Sequence, residues 1–149
     1  MGRLRPEAEL LLTCAGRAKP APAVVASRDI DWSYASRLAR RHSLMTALHR
    51  YLAEGGAKGV PEHVQEHFRV HCERNALRNR FLARELGKIL AAFREHGILA
   101  VPLRGLVLGP VIYGDLEVRE LADLDVLVHR RNMPDAMKVL RSLHYSPTF

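Results

Sequence analysis

Two carboxylates stand two residues apart at Asp123 and Asp125, inside the run Asp123-Leu124-Asp125-Val126-Leu127-Val128. The run has the alternation of a strand, whose period of two puts both acids on one face. Leu124, Val126 and Val128 then face the other way, into a core. Two acids side by side repel each other. A divalent cation with oxygen ligands removes that repulsion, and Mg²⁺ or Mn²⁺ suits such a pair. Paired ions could clamp the attacking and leaving oxygens of a phosphoryl or nucleotidyl transfer. The plainer alternative is one Asp capping a loop and one at a sheet edge.

Upstream, Ile98-Leu99-Ala100-Val101-Pro102-Leu103 is a short apolar run of strand type, and Arg104-Gly105 follows it as a turn. A glycine after a strand lets backbone N–H groups approach a phosphate, and a helix N-terminus favours the anion. Arg104 adds a bidentate donor. Leu106 to Tyr113 reads as the short helix after the turn, ended by Gly114-Asp115. Strand, glycine turn, helix and acidic strand together make a nucleotide-plus-metal layout.

The elements that must position these residues come mostly before them. Pro6 to Ala15 reads as a short helix, and residues 16–28, with Pro20 and Pro22, as a linker. Asp29 or Asp31 can cap a helix through Trp32, Leu38 and Ala39. A second helical piece runs from about Ser43 to Leu52 and ends at Gly55-Gly56. From Pro61 to Glu95 there is no further Pro and only Gly87 as glycine, so the stretch is one long helix or two stacked ones. Val64, Phe68, Leu77, Phe81, Leu82, Ile89, Leu90 and Phe93 are expected to form its apolar stripe. At Gly97 the period changes to that of strands, and Asn132 and Pro134 open a last helix to about Leu143.

With 149 residues the chain suits one domain, or one domain with a helical appendage. Hydrophobic residues make up 48% and charged residues 26%, which excludes a largely disordered chain. Lys and Arg number 23 against 16 Asp and Glu, a net charge of +7, which suits an anionic partner. Two cysteines, Cys14 and Cys72, are no disulfide framework and point to a cytoplasmic setting. No apolar run approaches the ~20 residues of a membrane span. The basic N-terminus is followed by too short an apolar run for a secretory leader. Pro6 stands where a myristoylation signal wants Ser or Thr.

The motifs Val101-Pro102-Leu103-Arg104-Gly105-Leu106, Val111-Ile112-Tyr113-Gly114-Asp115, Arg119 and Ala122 to Val128 resemble a family of uncharacterised nucleotidyltransferases in the polymerase-β-like superfamily. Asp31-Trp32, Leu38 to His42, Val60-Pro61 and Asn75 resemble its helical N-terminal region, and His144-Tyr145 falls where members often read Gly-Tyr. The resemblance implies that Asp123 and Asp125 bind metal and that Gly105 is the phosphate-turn glycine. Arg104 stands where members usually have Lys. Arg119 matches an Arg that contacts phosphate or braces the metal loop. A salt bridge to Asp115 or Glu120 is the alternative for Arg119. The usual Gly-Ser turn is Gly105-Leu106 here. The superfamily's third carboxylate lies on a later strand, and the chain stops before it. The expectation is therefore a fragment, a truncated product or a degenerate copy.

His63-Val64-Gln65-Glu66-His67 also matches His-x-x-Glu-His, the inverted zinc-peptidase pattern, and His71 extends the row with Cys72 beside it. The preferred reading is a solvated helix face, because such peptidases need a further distant carboxylate and a differently built domain. The Arg-rich helix from Arg69 to Arg94 likewise reads as a solvated face with i, i+4 pairs.

The expected fold is α+β. A mostly helical region over residues 1–96 precedes, over 97–149, the first strand-helix-strand-helix part of a nucleotidyltransferase-like domain. The expected function is metal-dependent transfer of a nucleoside monophosphate from an NTP, ATP first, to an unknown acceptor: a protein, a small molecule or a nucleic acid. The alternative is a non-catalytic module that binds nucleic acid or a protein through its basic surface.

Overall fold

The computed structural model describes residues 4–15, 29–55, 59–106, 109, 114–117 and 119–147. Its contacts divide into two units, Met1–Ala76 with Glu117–Glu120, and Leu77–Leu116 with Leu121–Phe149. Helices dominate and the described strands form one antiparallel pair, so the fold is α+β. The linker expected over 16–28 lies outside the described residues. Among the described residues, no helix is long and apolar enough to cross a membrane.

The first unit is helical. It holds α1 (Pro6–Ala15), α2 (Trp32–Arg41), α3 (Met45–Glu54) and the opening turns of α4 (Glu62–Glu95). Pro6 starts α1 where a missing N–H costs nothing. Asp31 caps α2, its Oδ1 accepting from the Tyr34 N–H at 2.9 Å. The buried Glu7 holds that cap in place, with Oε1 accepting from the Asp31 N–H at 3.0 Å. Leu10, Met45, Leu48 and Phe68 are fully buried in the core. Each contributes about 1.5–3 kcal/mol by leaving water.

The second unit holds the rest of α4, strands β1 (Ala100–Leu103) and β2 (Asp125–Val128), a 3₁₀ turn at Arg130–Asn132 and α5 (Met133–Ser142). Ala100 pairs with Val128, and Leu103 with Asp125. The inward side chains Ala100, Leu124, Val126 and Val128 pack on Ile89, Phe93, Ile98, Ala136 and Val139. Here the expected alternation holds, with Leu124, Val126 and Val128 in the core.

Three helices end alike. Ile98 N–H reaches Phe93 O at 2.8 Å and Gly97 N–H reaches Arg94 O at 3.1 Å, with Gly97 at φ +68°. This is a Schellman closure. It uses Ile98 as the hydrophobic seal, which is why β1 begins at Ala100 and not at Ile98. Ser43 at φ +54° and His144 at φ +67° occupy the same left-handed position after α2 and α5. Tyr145 N–H reaches Leu140 O at 2.9 Å in the second case.

Glycine is therefore placed at one left-handed closure and missing from the other two, while Gly87 sits within α4 with open space where a Cβ would stand. Opposite exchanges should both stabilise. His144→Gly should gain about 1 kcal/mol by relieving the left-handed backbone, and Gly87→Ala about 0.5–1 kcal/mol by helix propensity. Urea unfolding curves check both, as rises in midpoint at unchanged slope.

Candidate active site on the strand pair

The antiparallel register decides what lies together. The end of β1 and the start of β2 share one end of the ladder, since Leu103 faces Asp125. The Arg104-Gly105 turn thus leaves the sheet where the acidic run enters it. Arg104, Gly105, Asp123 and Asp125 all belong to the second unit.

Asp123 departs from expectation. It precedes β2 instead of standing on it. Carrying the register two residues further would set Asp123 opposite Gly105. Arg104, at φ +54°, turns the chain out of the strand before that pairing forms. The helical conformation starts at Gly105–Leu106. The alternation survives this break: Asp123 and Asp125 are exposed, and Leu124 between them packs inward. Most of the helix expected over Leu106 to Tyr113 lies outside the described residues.

The outward face of the strand pair carries Val101, Leu103, Asp125 and Leu127, all exposed. Asp125 thus stands in water beside apolar neighbours. Arg104 is exposed as well, in a backbone conformation that costs an Arg roughly 1–2 kcal/mol. Such outliers concentrate at functional sites. Gly105 has a local structural cause. A Cβ built on it would stand 2.7 Å from Leu121 Cδ2, a side chain that is itself buried.

Arg119 belongs to the first unit and is half-buried. Its carbonyl accepts from Asn75 Nδ2 at 3.1 Å, and the Glu117 carbonyl accepts from the same amide at 2.8 Å. Glu120 caps α3, whose own N-cap, Leu44, makes no side-chain bond. Its Oε1 accepts from the Met45 N–H at 2.9 Å and the Thr46 N–H at 3.3 Å, and lies 3.4 Å from His71 Nε2. In the second unit Asn79 Nδ2 donates to Leu116 O at 2.8 Å and Arg78 Nη2 to Ala122 O at 3.1 Å. These positioning residues were not read from the sequence as a set. The signal was there: Asn75 and Asn79 lie four apart on the face of α4 that buries Phe68 and Leu86.

The histidine row has other partners. Arg40 Nη2 donates to His67 Nε2 at 3.4 Å, which occupies that lone pair. His71 Nε2 faces Glu120. Among the described residues, no three His, Cys, Asp or Glu side chains gather to hold an ion. Burial pushes the Cys14 thiol up to about 12 and the Cys72 thiol up to about 11, away from the reactive thiolate.

Gly105 and Leu121 should be energetically coupled. Gly105→Ala alone should lower stability. In the Leu121→Ala background the same exchange should cost about 1 kcal/mol less, a coupling typical of touching residues. A double-mutant cycle by chemical denaturation measures it.

No curated protein and no solved structure matches the chain. One family does, over residues 28–149, and its description is "uncharacterised nucleotidyltransferase". That span includes the turn at Arg104-Gly105, both acids of the strand pair and the asparagines of α4. The chain belongs to this family of uncharacterised nucleotidyltransferases.

Proposed function

We propose that the protein moves a nucleoside monophosphate from a Mg²⁺-bound NTP to an acceptor hydroxyl or amine, with Asp123 and Asp125 as metal ligands. One observation carries this reading: the register that brings the Arg104-Gly105 turn and the acidic pair to one end of the ladder. The donor set fits a hard divalent cation, because both side chains are exposed carboxylates, Asp125 on the outward face of β2 and Asp123 just before it. When bound, the ion would neutralise charge on the phosphates and on the leaving pyrophosphate.

The chain's own residues supply the rest. Asp123 and Asp125 would hold the ion through their carboxylate oxygens. The Arg104 guanidinium, on a fixed left-handed residue, pairs with triphosphate oxygens. The resemblance makes Gly105 the phosphate-turn glycine, whose backbone N–H would meet the same oxygens. The resemblance gives Arg119 one of two roles, contact with phosphate or bracing of the metal loop; it lies in the first unit, where Asn75 holds its carbonyl. ATP is the first substrate to try. The acceptor is open among protein, small molecule and nucleic acid.

Isothermal titration of Mg²⁺-ATP tests the reading. Binding should be lost in Asp123→Asn and Asp125→Asn and without divalent ion; unchanged affinity in both variants would refute it. Arg104→Gly separates binding from folding. It should raise stability by about 1 kcal/mol as the strain goes, and weaken Mg²⁺-ATP binding by about 5–10-fold as a charge-assisted contact goes.

A further inference from the structure

The buried face of α4 in the second unit carries Asn79, Leu86, Ile89 and Phe93. At about 3.6 residues per turn, Leu77 and Phe81 fall roughly on the opposite side of the helix. They are 65% and 61% exposed, so neither belongs to the buried stripe expected from the sequence. Four residues apart, they stand side by side on the surface. Arg80, Arg84 and Lys88 project to the same side. From Leu77 to Glu95 the helix carries five basic residues against two acidic ones. Of the two acids, Glu85 is already engaged, by Lys88 Nζ at 2.6 Å and the Tyr145 hydroxyl at 2.6 Å.

A single exposed leucine needs no explanation. A Leu–Phe pair at helical spacing, framed by cations on a helix whose other face is satisfied, does. We propose that this face of α4 docks an acidic amphipathic helix of a partner protein. The partner's apolar side chains would cover Leu77 and Phe81, and its carboxylates would meet Arg84 and the net positive charge of the helix, on which Lys88 is already paired with Glu85. Charge chooses this occupant. A second copy would set a net +7 chain against another, with like cations facing each other. A nucleic acid would meet the cations and leave Leu77 uncovered, and Phe81 is a lone ring where single-strand binding uses several. A membrane surface would need a wider apolar stripe than two side chains. Apolar anchors at i and i+4 are what helix recognition reads. The proposal stands independently of the nucleotide reading.

The probe is a fluorescent synthetic peptide of about 20 residues, long enough for helix formation. It carries Leu at helical spacing on one face and Glu on the other. A scrambled peptide of equal composition, a single-stranded RNA and phosphatidylserine vesicles run beside it. Anisotropy should show the patterned peptide binding at least tenfold tighter than the scrambled one. Phe81→Ser and Leu77→Ser leave the net charge unchanged and should each weaken it about tenfold. Arg84→Glu should weaken it further and flatten its salt dependence. Circular dichroism should show all three variants folded, as expected at exposed positions. Equal affinity for patterned and scrambled peptides would overturn the proposal. So would binding indifferent to Phe81→Ser, or RNA or vesicle binding without peptide binding.

Discussion

Backbone carbonyls that leave water must find donors, and along α4 that demand is met by side chains. In the first unit Asn75 satisfies the carbonyls of Glu117 and Arg119. In the second, Asn79 and Arg78 satisfy those of Leu116 and Ala122. An unsatisfied buried carbonyl costs about 1–3 kcal/mol, so the Asn75 and Asn79 amides guide the chain on its way to β2, while the Arg78 bond to Ala122 is exposed and adds less. Glu120, on the same stretch, ends up as the cap α3 lacks. The polar residues of α4 are thus as structural as its apolar ones.

From that path the site follows by register alone. Ala122 is held at its carbonyl, Leu124 drops into the core, and β2 pairs with β1 from Asp125 onward. Both acids are left outward, at the end where β1 gives way to Arg104-Gly105. The acidic pair is therefore placed by neighbours that carry no charge at all: Leu124, Val126 and the packing beneath them. Arg104 in a left-handed conformation and Gly105 under Leu121 make the turn abrupt. Each has a cost or a constraint that a plain hairpin would not need.

Much of this was legible. Helical spacing, a cap at Asp29 or Asp31 and the prolines placed α1 to α3 to within about two residues, because those signals are local. The inward Leu124, Val126 and Val128 followed from period two. The break between Asp123 and β2 did not, because it depends on Arg104 taking a positive φ, a conformation sequence pattern does not favour for Arg. His144 shows the same blindness at the end of α5, where a glycine would have marked the closure. The Asn75–Asn79 pair was visible as two polar residues on an apolar face. What they bond lies about forty residues away in the chain, beyond the reach of any local pattern.

The central claim is that a divalent ion sits on the acidic pair at the mouth of the strand pair. Paramagnetic broadening tests it most directly. Traces of Mn²⁺ with ATP, added to the ¹⁵N-labelled protein, should bleach first the amides around Gly105, Asp123 and Asp125, and Asp125→Asn should abolish that pattern. If the first amides to bleach are instead those of His63, His67 and His71, or if Asp125→Asn changes nothing, the account is contradicted.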